Sequence, residues 1–134
     1  MYAYASRAAF VRIPERETAR RLELRVADPA GNPYLFLAGI LAAMLDGIER
    51  EIDPGPPLPG NVGGLAGEEA RARGARPVPS TLAEALDHLE RDDTMREALG
   101  RLILEEFVKI KRSEWEAFRS YVGEWDREWY LGRL

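Results

Sequence analysis

The stretch from Tyr34 to Leu45 carries no charged residue and is apolar on every face of a helix. Asn32 is a good N-cap, and Pro33 fits the first helical position, where its missing N–H costs nothing. Asp28-Pro29-Ala30-Gly31 before them is turn chemistry. These residues predict a helix from Pro33 to about Glu51 that emerges into solvent at Asp46, Glu49, Arg50 and Glu51. A helix that is apolar all round needs cover on all sides, so it reads as a buried helix. The uncharged run is too short to span a bilayer. Whatever else the chain builds must supply that cover or leave it to another body.

The remaining elements are thin for the task. Ala8 to Ile13 reads as a short strand ended by Pro14. A second strand at about 20–26, Arg20-Arg21-Leu22-Glu23-Leu24-Arg25-Val26, alternates charged and apolar residues with a period of two. Strands this close predict an antiparallel pair over residues 8–26. Residues 53–79 hold six of the nine prolines and six of the twelve glycines, which predicts a long irregular loop. Thr81-Leu82-Ala83-Glu84 is a capping-box pattern. It opens a helical tail over 81–134: a helix to about Arg91 with Leu82, Ala85, Leu86 and Leu89 on one face, then one or two turns over Asp93–Leu99 ended by Gly100. A long helix follows from Arg101 to Val122, with apolar positions at Ile103, Phe107, Ile110, Phe118 and Val122 and a stop at Gly123. Trp125, Trp129, Tyr130 and Leu131 form a last helical segment. The class is α+β. An isolated strand pair is marginal in water and its edges invite pairing. The chain therefore reads as the end of a larger α+β domain whose other strands are not in it, and self-association over the apolar helix is expected.

Composition narrows the partners. A net charge of −4 argues against non-specific nucleic-acid binding. With no cysteine there are no disulfides or thiolate metal sites, and a reducing cytoplasm is compatible. Met1 to Ala5 has neither a basic n-region nor an apolar h-region, so no signal peptide is read there. The average hides a gradient: residues 1–26 carry six arginines against three acids, whereas residues 27–100 carry six basic and thirteen acidic residues. Positive charge on the two candidate strands suggests a local anion site.

In the second strand Arg21, Glu23 and Arg25 share one face. Arginine suits phosphate because its planar fork donates paired hydrogen bonds and stays charged. Cations beside Glu23 would keep its carboxylate ionised, as a ligand of a hard metal must be. An Mg²⁺ or Mn²⁺ ion joining such a carboxylate to phosphate suits phosphoryl transfer. The same pattern also fits a salt-bridged, solvent-facing sheet surface. Arg7 and Arg12 differ in parity, so both reach one site only if Arg7 lies at a bend before the first strand.

Three blocks carry a resemblance. Ser6-Arg7-Ala8-Ala9-Phe10-Val11-Arg12-Ile13-Pro14 resembles the glutamine synthetase segment N-R-S-A-x-x-R-I-P. Arg20 to Arg25 resembles that family's R-[RI]-[IL]-E-x-R strand. Asp28-Pro29-Ala30-Gly31-Asn32-Pro33-Tyr34-Leu35 followed by Leu45-Asp46-Gly47-Ile48 resembles D-P-x-x-N-P-Y-L with L-D-G-I. With the Trp125–Leu131 ending, the resemblance covers nearly the whole chain and corresponds to the C-terminal portion of the family's catalytic domain.

The resemblance implies roles. Glu23 matches a ligand of the metal ion beside the nucleotide's terminal phosphate. Arg12 and Arg21 match residues that contact ATP phosphates. Arg7 and Arg25 match residues that contact glutamate or its γ-glutamyl phosphate. The implied reaction is phosphorylation of the glutamate side chain by ATP, then displacement of phosphate by ammonia or an amine. Ser6 and Ala8 stand where the family usually has Asn and Ser. Gly63 of Asn61-Val62-Gly63-Gly64-Leu65 stands where some bacterial members carry an adenylylated tyrosine, which implies that control is absent. The Pro54-Gly55-Pro56-Pro57 loop is similar to relatives that join glutamate to amines or polyamines. The family's other metal-binding glutamates and histidines, its glutamate flap and its N-terminal β-grasp domain have no counterpart here. The expectation is a segment inactive by itself, docking to further glutamine synthetase segments.

Three other features read as ordinary structure. His88 belongs on a solvated helix face beside Asp87 and Arg91. Trp115, Trp125 and Trp129 read as core or packing anchors. Glu90, Asp92 and Asp93 form a solvated helix end without the spacing of a calcium loop.

Overall fold

The computed structural model describes residues 2–15, 21–58, 67–74 and 76–133. The chain divides into two compact units, Met1–Val78 and Pro79–Leu134. Arg20 and the segment 61–65 lie outside the described residues.

The first unit holds a three-stranded sheet in the order β1 (Tyr2–Tyr4), β2 (Val11–Ile13), β3 (Glu23–Leu24). The predicted antiparallel pair is present, with Val11 opposite Leu24 and Arg12 opposite Glu23. Among the described residues both strands are shorter than the sequence suggests. One further bond, Arg25 N–H to the Phe10 carbonyl at 2.9 Å, carries the pairing past β3. β1 is a strand the sequence reading lacked. It runs parallel to β2, with Tyr2 opposite Val11 and Tyr4 opposite Ile13. Parallel neighbours normally need a long crossover. Here the connection has to climb back only about 10 Å, the length of a three-residue strand, so the short segment from Ala5 to Phe10 suffices. Ala5 starts it in the left-handed region, at φ 55°.

The core of this unit is small: Ala3, Ala9 and Leu58. Leu58 is tied in by its N–H to the Tyr2 carbonyl at 2.9 Å, while the Tyr2 hydroxyl donates to the Gly55 carbonyl at 3.2 Å. The 53–79 segment is thus not wholly irregular. It pins its start to β1, and it contains α2 (Gly67–Ala72), whose Glu68 and Glu69 in the first turn and Arg71 in the last complement the helix dipole.

α1 spans Pro33–Glu49, two residues shorter than expected. The Asn32 side chain accepts from the backbone of Tyr34 at 2.9 Å and Leu35 at 3.3 Å, the predicted cap. At the other end Glu51 N–H meets the Ile48 carbonyl and Ile52 N–H the Gly47 carbonyl. This is a Schellman closure with a left-handed residue, Glu51 at φ 49°, in the place glycine usually takes. The helix is apolar as expected, yet none of its residues is buried by this chain. Tyr34, Phe36, Leu37, Leu41, Met44, Leu45 and Ile48 are all exposed. Covering seven such side chains would contribute on the order of 10 kcal/mol. Three short strands offer no surface of that size.

The second unit is helical: α3 (Leu82–Glu90), α4 (Asp93–Leu99), α5 (Arg101–Ser120) and α6 (Glu124–Leu131). Leu86 of α3 packs with Leu104 and Val108 of α5, flanked by Leu82, Leu89, Leu99 and Phe107. The Thr81 hydroxyl caps α3 by accepting from Glu84 N–H at 3.1 Å. Glu84 answers one residue further out than a standard capping box, accepting from the Ser80 N–H and hydroxyl, both at 2.8 Å. Gly100, at φ 76°, ends α4 and starts α5, a backbone conformation that suits glycine. Arg112 of α5 donates to both Asp87 and Glu90 of α3 at 2.5 Å.

Three expectations for this unit change. α5 ends at Ser120, and Gly123 serves as the N-cap of α6. The buried stripe of α5 is Leu104 and Val108; Ile103, Ile110 and Phe118, the apolar positions noted for their helical spacing, are exposed. Trp125 and Trp129 are exposed too. They stack on each other with ring centroids 5.5 Å apart, and Arg133 caps Trp129 at 3.7 Å. His88 is exposed, as expected.

Candidate functional site

Four of the five candidate residues meet on the β2–β3 pair. The register sets Arg12 directly across from Glu23, so the two side chains emerge side by side from adjacent strands. Arg21 and Arg25 lie two residues either side of Glu23, in the segments that flank β3, and both reach its carboxylate.

The Glu23 carboxylate is shared among them. Its Oε2 accepts from Arg12 Nη1 at 2.8 Å; its Oε1 accepts from Arg21 Nη2 at 2.7 Å and Nε at 3.1 Å. Arg25 Nη1 stands 3.8 Å from Oε2, an ion pair without a hydrogen bond. Arg12 is further fixed by Nε donating to the Ala5 carbonyl at 3.3 Å. The hydrogen bond from Arg12, then that from Arg21, holds the Glu23 carboxyl below its ordinary 4.5, against a smaller opposing effect of desolvation. The carboxylate is ionised across the neutral range, in keeping with hard-metal chemistry. A single carboxylate is not a metal site, however, and among the described residues no group of three His, Cys, Asp or Glu stands together to hold an ion.

Arg7 is placed apart from this cluster. It sits in the turn before β2, the bend its parity required, and lines a cleft that Arg25 also lines. Two further arginines, Arg71 and Arg76, line the same cleft, and the sequence reading had not singled them out. Their only signal was the recurrence of arginine at 71, 73 and 76 inside a stretch whose overall balance is acidic.

A carboxylate kept ionised by arginines on a short antiparallel pair, with more arginines at the strand ends, is chemistry suited to anionic, phosphate-type groups and equally to a salt-bridged sheet surface. Comparison with known proteins makes this specific. Residues 1–130 match the family model for glutamine synthetase, catalytic domain. The chain is 40% identical over 131 residues to the glutamine synthetase of Methanococcus maripaludis, covering 97% of this chain and 29% of that protein. It is 42% identical over 131 residues to that of Methanocaldococcus jannaschii, with the same coverages. A solved structure described as "Apo GmaS without ligand" superposes with a TM-score of 0.79 at 39% identity, over 98% of this chain and 29% of that one. The chain belongs to the glutamine synthetase family. It spans under a third of the length of the relatives it matches, consistent with an α+β fragment of their catalytic domain.

No described helix is long and apolar enough to cross a membrane.

Proposed function

We propose that this chain is one wall of the active site of a glutamine synthetase-type ligase, which makes an amide from glutamate and ammonia, or an amine, at the expense of ATP. The observation that carries the reading is the Glu23 carboxylate held across the strand pair by Arg12 and along the strand by Arg21. Family membership supplies the reaction class. The Pro54–Pro57 loop and the likeness to the GmaS structure are in keeping with the amine branch.

In this reading Arg12 and Arg21 bind ATP phosphates and offset the charge that gathers as a phosphoryl group moves. Glu23 provides one oxygen ligand to Mg²⁺ or Mn²⁺, which when bound supplies Lewis-acid neutralisation of the phosphate oxygens. Arg7 and Arg25 orient glutamate and then its γ-glutamyl phosphate. A carboxylate is a poor electrophile. Phosphorylation gives it a leaving group, the nitrogen nucleophile attacks the carbonyl carbon, and phosphate departs. Because Glu23 is one ligand only, the other ligands come from residues outside the chain, and the isolated chain is inactive. ATP-dependent turnover of glutamate and ammonia by the isolated chain, above background, would contradict this.

The exposed α1 favours a second reading, a non-catalytic assembly module that docks on complete ligase subunits. Co-elution with a full-length ligase in size exclusion, without any gain in its turnover, would favour the module.

A further inference from the structure

The first unit contains an open cleft of about 460 Å³ between the turn before β2, the end of the β3 strand, and α2 with the segment after it. Four of its lining residues are arginines: Arg7, Arg25, Arg71 and Arg76. Among the described residues no carboxylate lines it. Among the described residues Arg7, Arg71 and Arg76 enter no ion pair, whereas their neighbour Arg73 turns to Glu69 at 2.6 Å. Arg25 is held only loosely by Glu23, at 3.8 Å. The remaining walls are largely apolar, with Phe10, Leu58 and Val78 among them.

Four like charges around one open cleft repel each other, an effect that water moderates because all four arginines are exposed. The arrangement is out of keeping with a chain of net charge −4 unless an anion answers it. A guanidinium fork fits carboxylate and phosphate oxygens alike. Four forks exceed what the two oxygens of one carboxylate satisfy, whereas a phosphate group brings more acceptors and up to two charges.

We infer that Arg71 and Arg76 are anion-binding residues which complete, with Arg7 and Arg25, a site for a phosphate-type oxyanion. This deepens the ligase reading, on which it rests for Arg7 and Arg25, by giving a role to Arg71 and Arg76 of α2 and the segment after it; it does not depend on Glu23 or a metal ion. The oxyanion is either free phosphate or the phosphate end of an organic phosphoester.

The test is a titration of the ¹⁵N-labelled full chain with inorganic phosphate at low ionic strength, followed by the backbone amide and arginine Nε signals. Saturable shifts are expected at Arg7, Arg25, Arg71 and Arg76. Arg71→Ala with Arg76→Ala should weaken binding about tenfold or more. Arg71→Lys with Arg76→Lys should fall between, since charge stays and the fork is lost. Arg101→Ala, on α5 and 85% exposed, should change nothing. A parallel titration with ATP in chelator identifies the source: tighter binding than phosphate assigns a phosphoester, equal or weaker binding assigns free phosphate. Shifts scattered over the surface without saturation, or wild-type affinity in the Arg71→Ala, Arg76→Ala variant, would overturn the inference. Loss of phosphate binding on Glu23→Ala with the Arg71 and Arg76 variants unaffected would also overturn it, while leaving the ligase reading intact.

Discussion

Arg12 and Glu23 face each other across the β2–β3 pair, with the guanidinium Nη1 2.8 Å from the carboxylate Oε2. The pairing places the least exposed arginine of the cluster against its one acid. Arg12 is anchored from behind by the Ala5 carbonyl, whereas Arg21 and Arg25 reach from the segments that flank β3 and are more exposed.

The first prediction concerns pH. Glu23 has its carboxyl lowered from 4.5, first by Arg12 and then by Arg21. A group depressed on folding adds stability that is present above its unfolded pKa and is lost as pH falls through the folded one. The β2–β3 pair should therefore keep its cross-strand bond at pH 4.5 and lose it only in more acidic solution. A ¹³C titration of the Glu23 carboxyl should give a midpoint below 4.5, and Arg12→Ala should raise it more than Arg21→Ala. A wild-type midpoint at or above 4.5 contradicts the geometry.

The second uses the end of α1. Glu51 occupies a left-handed position at φ 49° without a glycine's freedom. Glu51→Gly should stabilise the folded chain by about 0.5–1 kcal/mol, read as a higher midpoint of thermal unfolding by circular dichroism. A lower midpoint would mean that the Glu51 side chain contributes more than its backbone costs.

The third tests which face of α5 is inside. Leu86→Ala removes the most buried large side chain of the second unit and should cost about 2–4 kcal/mol in urea unfolding. Ile110→Ala, on the exposed side, should cost well under about 1 kcal/mol. Comparable losses at the two positions would reverse the assignment.

The fourth concerns α1 as a whole. Its exposed apolar surface should drive the chain into dimers or larger assemblies at micromolar concentration, and Leu41→Lys should shift the population toward monomer. A well-folded wild-type monomer in sedimentation would contradict this.

What was legible in the sequence was local. Asn32 and Pro33 announced α1 because capping depends only on neighbouring backbone donors. Arg21, Glu23 and Arg25 could be put on one face because a strand has a period of two. The Arg12–Glu23 pairing was not legible, since register comes from tertiary contacts. On α5, Ile103 and Ile110 follow a helical period as faithfully as Leu104 and Val108 do. Spacing gives the period but not the phase, and α3 decides it. Tyr2-Ala3-Tyr4 is too short to show alternation, so β1 went unseen. α2 was hidden by the glycines and prolines around it. Arg71 and Arg76 were lost in an acidic average.

The central claim is that the arginine-flanked Glu23 is a nucleotide- and metal-facing wall. Calorimetric titration of the chain with Mg²⁺-ATP tests it most directly, with Glu23→Ala and Arg21→Ala as comparisons. Binding that weakens in both variants is the predicted result. Wild-type affinity in both would contradict the account and return the cluster to a salt-bridged surface.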